Sequence, residues 1–219
     1  MSETTGYRAT RLIDVAPGTG AHAVDELMGR LRTTATAAGA TGVVVGRTLP
    51  GALNAGDILS HFVFADRPAW EAARPEIEGV LADPLVVRVN GADYAPGTTG
   101  AASPRTAGTA YRSLLIAVAP GTSADELRRF AADTLQMPRY TPTMLAWSLS
   151  EVDSAVGDSR YTHVWEQEFT DAGAINGPCL FHPIHWSVVD AWFDPECPQC
   201  IIREPICHSF CALDGQILP

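Results

Sequence analysis

The chain has 219 residues, 46% of them hydrophobic and 18% charged, and carries a net charge of −10. Such a chain is globular, with one large or two small domains, and is not disordered. Its acidic balance argues against nucleic acid or an anionic membrane as partner, and the absence of Lys among its fifteen cations rules out a lysine-anchored pyridoxal phosphate.

In chain order, residues 11–15 read as a strand and 21–38 as a helix, with Val24, Leu27, Met28 and Leu31 at helical spacing. Gly39 and Gly42 break the helix before a strand at 43–47, and a Pro/Gly/Asn loop follows. A strand at 59–65, a helix at 67–81 with Pro68 in its first turn, and a strand at 86–92 complete the order β-α-β-β-α-β. A stretch rich in Gly, Ala, Ser, Thr and Pro then reads as a linker, placed at 98–110. The second half repeats the order: a strand at 111–118, a helix at 123–135 with Ser123 as cap, strands at 143–151 and 160–169, a helix at 183–193 and a strand at 199–203. The expected organisation is a first ferredoxin-like repeat at 1–97, a second at 111–204, and a Cys-containing tail at 205–219.

The duplication is visible in the residues. Leu12-Ile13-Asp14-Val15-Ala16-Pro17-Gly18-Thr19 returns as Leu115-Ile116-Ala117-Val118-Ala119-Pro120-Gly121-Thr122. His61 is set against His163, Arg74-Pro75 against His182-Pro183, and Asp83-Pro84 against Asp194-Pro195. A repeat of this length suits a duplicated small domain rather than a solenoid unit. The copies differ most at Cys179-Leu180-Phe181-His182-Pro183-Ile184-His185, where the first copy keeps a Pro and has no His.

That His-Pro-x-His segment, after a strand and an acidic loop and at a helix start, resembles the stress-responsive dimeric α/β-barrel (Dabb) family, which includes polyketide cyclases. The resemblance implies an α+β fold in which two ferredoxin-like repeats form an intramolecular dimeric α/β-barrel. The family's usual motif is similar to Tyr-x-x-His-Pro-x-His, with the second His as base and the Tyr supporting it. Those roles map onto His185 and, by departure from the pattern, Cys179.

The candidate catalytic residues are therefore His185, His182 and His163, since an imidazole exchanges protons near neutrality without a cofactor. Two polar residues at a helix start, and a core histidine at His163, are the competing readings. Alternation sets Tyr161, His163 and Trp165 on one strand face. Tyr161, Trp165, Trp147, Trp186 and Cys179 are candidate substrate-binding residues, with core packing as the alternative for the aromatics. Cys197, Cys200, Cys207 and Cys211 have a spacing that a tetrahedral zinc can use, against free or partly buried thiols. The metal assignment stays open.

The expected function is a cofactor-independent cyclase, isomerase or lyase acting on a small apolar or aromatic metabolite. The alternative is a non-catalytic ligand-binding or stress-associated protein with a zinc-stabilised tail. A haem-dependent or oxygenase activity, as in other dimeric α/β-barrel families, is not selected by any spacing. A small molecule is the expected partner, with homodimerisation open. No signal peptide or membrane-length apolar run is visible, so a cytoplasmic protein is expected.

Overall fold

A computed structural model describes residues 6–219. Two five-stranded sheets make the frame. The first repeat contributes β1 (Tyr7–Val15), α1 (Ala21–Ala37), β2 (Gly42–Arg47), β3 (Ile58–Phe64), α2 (Arg67–Leu81) and β4 (Val86–Tyr94). Next come β5 (Thr98–Ala101), β6 (Gly108–Ile116), α3 (Ala124–Thr134), the short α4 (Met137–Tyr140), β7 (Met144–Glu151), β8 (Ser154–Val156), β9 (His163–Phe169), the single turn α5 (Ala172–Ala174) and β10 (Cys207–Gly215). Strand orders are β2-β3-β1-β4-β8 and β10-β6-β9-β7-β5. Without β8 and β5, the two sheets share one ferredoxin-like order, with the first strand of each repeat between the third and the fourth.

The helices form where local chemistry favours them. Asp66 accepts from the Ala69 N–H at the start of α2. Ser123 and Glu126 make a reciprocal capping box at the start of α3. The apolar faces of α1 and α2 cover the first sheet through Leu27, Leu31, Trp70 and Ile77. The other face of each sheet points inward, where Leu12, Leu59, Tyr94, Tyr111, Leu115 and Val164 form the barrel interior.

Each half lends pieces to the other. β8 leaves the second repeat to pair with β4, at Gly91↔Val156 through Asp93↔Ser154. β5, in the stretch expected to be linker, extends the second sheet on β7. The barrel closes where β2 meets β10: Thr48 bridges Cys211, Leu53 bridges His208, and the Leu49 N–H donates to the Phe210 carbonyl at 2.9 Å. Gly46 permits this approach, because a Cβ there would lie 2.9 Å from the Cys211 Cβ.

Three expectations need correction. The strand completing the second sheet is β10, from the segment read as a tail, whereas residues 199–203 make only an isolated bridge, Val118↔Ile202. β10 alternates Cys207, Cys211 and Leu213 into the barrel with His208 and Phe210 towards the helices, a two-residue period that the cysteine spacing obscures. The expected helix at 183–193 is irregular: wide π-type turns at Ile175–Cys179 and Ile184–Val189, then a 3₁₀ turn at Asp190–Trp192. Pro178 and Pro183 lack the N–H that regular winding needs, and such turns often sit at functional sites. Finally, strand register overrules the equivalence of His61 and His163. With Leu12 matched to Leu115, the pairs Leu12↔Leu59 and Leu115↔Val164 make His61 equivalent to Glu166 and His163 equivalent to Ile58.

Candidate active site

The helix-facing side of the second sheet carries Arg112, Leu114 and Ile116 on β6, Trp165 on β9 and His208 on β10. Phe130 and Thr134 of α3 and the segment from Leu180 to Phe193 lie over them. Between the layers is a partly open, mostly apolar cavity of about 180 Å³. Leu53, from the β2–β3 loop of the first repeat, stands at its edge, held by reciprocal backbone hydrogen bonds with His208 of 2.9 and 2.8 Å. The first half therefore supplies part of the wall of the second half's cavity. Its own corresponding layer is filled by Phe62, Trp70 and Ile77.

His185 lines the cavity from the second π-type turn, and its Nδ1 lies 3.2 Å from Asp190 Oδ1. His208 faces it from the sheet, with Nε2 buried and unpartnered. Burial holds the His208 imidazole neutral, pushing its pKa down to about 2, and the nearby Arg112 and His185 push the same way. Arg112 is 4% exposed. Its Nη1 makes only a long contact of 3.9 Å with the Cys179 sulfur, and its Nε has no partner. Burial lowers the Arg112 pKa and raises that of the Cys179 thiol, so the pair offers a guanidinium and a neutral thiol. Trp165 Nε1 and Thr134 Oγ1 are also buried without partners.

The sequence-selected residues divide. His185 and Trp165 line the cavity, and Cys179 backs it behind Arg112. His182 does not line it: its Nδ1 accepts from the Ile184 N–H at 3.1 Å and its ring stacks on Tyr140. His163 packs edge-on against Phe130, beside a separate open groove next to residues 95–98, and burial lowers its pKa. Tyr161 precedes β9 and turns into the barrel, where its hydroxyl meets the Cys207 sulfur at 3.2 Å. It therefore leaves the face that alternation assigned to it, because β9 begins only at His163. Trp147 lies against Gly100 of β5, where a Cβ would come within 2.4 Å of its ring. Trp186 is 60% exposed.

Reading from sequence did not select Arg112, His208, Asp190 or Leu53. The spacing of Arg112, Leu114 and Ile116 marks one strand face, but only the repeat shows Arg112 to be singular, since Ala9 occupies the matching position. The four zinc candidates do not gather. Cys197 and Cys200 sit in a turn beside an open surface groove, while Cys207 and Cys211 face the barrel interior. Among the described residues no group of three or more His, Cys, Asp or Glu is placed to share a metal. No described helix is long and apolar enough to cross a membrane.

The family model for the stress responsive A/B barrel domain matches residues 110–207. The second repeat is similar to that family's domain. The match runs from β6 into β10 and so contains nearly all of the cavity wall. No curated protein matches the chain. Among solved structures, an anthrone oxidase-like protein is similar at 10% identity and a TM-score of 0.63, over 96% of this chain and 92% of its own. A candidate monooxygenase from Fusobacterium nucleatum subsp. nucleatum is similar at 10% identity and a TM-score of 0.60, over 100% and 99%. One from Lactobacillus acidophilus NCFM gives 9% identity and a TM-score of 0.57, over 99% and 100%. At these identities the likeness extends to the fold: both halves of the chain together match single chains of similar fold.

Proposed function

We propose that the chain is a cofactor-independent acid–base enzyme that moves a proton next to a carbonyl in a small apolar or aromatic metabolite, as a cyclase, isomerase or lyase. The observation that carries this reading is the convergence of His185, with Asp190 beside it, and the neutral His208 on one mostly apolar cavity. The Asp190 carboxylate lies 3.2 Å from His185 Nδ1, close enough to steady the imidazolium that forms when Nε2 takes a proton from the substrate. His185 takes a proton from the carbon next to the carbonyl, leaving an enolate. His208, as its Nε2–H tautomer, donates to the enolate oxygen, and a neutral donor costs no charge burial there. In a β,γ-unsaturated ketone, returning the proton from His185 to the γ carbon of the dienolate gives isomerisation; alternatively, the enolate carbon attacks a second carbonyl, whose π bond breaks, and the resulting alkoxide takes the proton from His185, which gives cyclisation.

Exchange of carbon-bound protons for deuterium, followed by NMR with 2-indanone as probe, tests this directly. The protein should accelerate the exchange, and His185→Ala should lower the rate by roughly 10²–10⁴-fold with the fold intact. Equal acceleration by both proteins removes His185 from the mechanism.

A further inference from the structure

We infer that the cavity is built for a small carboxylate, bound through Arg112 with an apolar body built around one aromatic ring. The inference rests on the cavity being the site, as proposed above, and adds the charge of its ligand. Arg112 stands apart from the other fully buried arginines. Arg8 meets Glu166 at 2.6 Å and Arg11 meets Asp93 at 2.6 Å. Arg112 is as buried as these, yet among the described residues no carboxylate lies within ion-pair distance of it. Asp190, the carboxylate in the cavity wall, lies 3.2 Å from His185 Nδ1 and acts on Arg112 only at longer range.

A buried, uncompensated charge costs several kcal/mol and persists where something repays it. Here the surroundings indicate what does. Arg112 Nε, Trp165 Nε1 and Thr134 Oγ1 are donors without acceptors on the wall of one cavity, and His208 Nε2 is a further unpartnered polar atom there. A carboxylate offers two oxygens and about four lone-pair directions, and the flat guanidinium matches its geometry. The remaining wall is apolar: Leu114, Ile116, Phe130, Val189 and Phe193. At about 180 Å³ the cavity only slightly exceeds the roughly 150 Å³ cavity that admits a benzene ring. The matching position of the first repeat holds Ala9, in a layer that is filled, so the unpaired cation and the free volume occur together in one half and in neither form in the other.

Isothermal titration calorimetry of the whole chain with benzoate, and with benzamide as its neutral isostere, tests the inference. Wild type should prefer benzoate at least about tenfold. Arg112→Met should remove that preference, weakening benzoate far more than benzamide, and leave the thermal midpoint equal or higher, because an unpaired buried charge has gone. Should Arg112→Met not fold, Arg112→Gln keeps a donor without the charge and should lose the preference equally. Equal binding of benzoate and benzamide to wild type overturns the carboxylate assignment while leaving the cavity as the site. Unchanged benzoate preference in the Arg112 variants overturns the role of Arg112. Binding of neither probe overturns both the inference and the proposed site.

Discussion

His61 and Glu166 occupy equivalent positions in the two repeats and meet inside the barrel, with Nδ1 and Oε1 3.4 Å apart. Around them the halves are joined by polar contacts that water does not reach. Arg8 and the Tyr111 hydroxyl both donate to Glu166, at 2.6 and 2.7 Å, and Thr10 links the His61 ring to the Tyr94 hydroxyl. Burial alone would raise the Glu166 pKa, but Arg8, with His61 and Tyr111 behind it, holds it below the ordinary carboxylate value. Burial pushes His61 the other way, down to about 4.

The neutral His61 predicts acid lability. The unfolded chain binds a proton at this residue below about pH 6.5, whereas the folded chain does so only near 4. The stabilisation is complete above about pH 6.5 and is lost as pH falls towards 4, an effect on the order of 3 kcal/mol. Thermal midpoints measured from pH 7.5 to 4.5 should fall steeply, and less steeply in His61→Gln. Identical slopes in the two proteins would contradict a buried neutral imidazole.

Glu166→Gln leaves the Arg8 guanidinium buried without a counter-charge. Denaturant unfolding should show a loss of about 3–5 kcal/mol. The double variant Arg8→Met, Glu166→Met should recover much of that loss, since it removes both charges. A single variant as stable as wild type would mean that the ion pair does not hold the halves together.

Leu53 is 59% exposed, so Leu53→Ala should change stability by no more than about 0.5 kcal/mol. Because the residue stands at the edge of the cavity and comes from the other repeat, ligand dissociation should quicken several-fold in stopped-flow measurements. An unaltered dissociation rate would show that the first repeat contributes nothing to retention.

His182→Ala separates the two histidines of the His-Pro-x-His segment. His182 stacks on Tyr140 outside the cavity, so deuterium exchange into 2-indanone should stay within about threefold of wild type. A loss matching that of His185→Ala would move the chemistry to His182.

The duplicated strand, Pro-Gly and helix pattern was legible in the sequence because apolar periodicity and turn residues act locally. The fourth strand of the second repeat was not. Cys207 to Cys211 reads as a metal-like spacing, and its sheet identity follows only from pairing with β6, far away in the chain. The exchange of β5 and β8 between the halves is likewise set by tertiary pairing. At the site, His185, Trp165 and Cys179 could be selected by residue type and motif. Arg112 and His208 could not, because what distinguishes them is burial without a partner, and Asp190 gains meaning only through the turn that brings it to His185. Tyr161 and His163 were set on one face by strict alternation, which fails where the strand has not yet begun.

The most direct measurement is side-chain ¹⁵N NMR of the six histidines, recorded with and without 2-indanone. If the apolar cavity of the second half is the site, the ring nitrogens of His185 and His208 shift on addition of the ketone, and those of His22, His61 and His163 stay in place. Shifts at His163 or His61 with none at His185 and His208 would contradict the account and place the site elsewhere in the barrel.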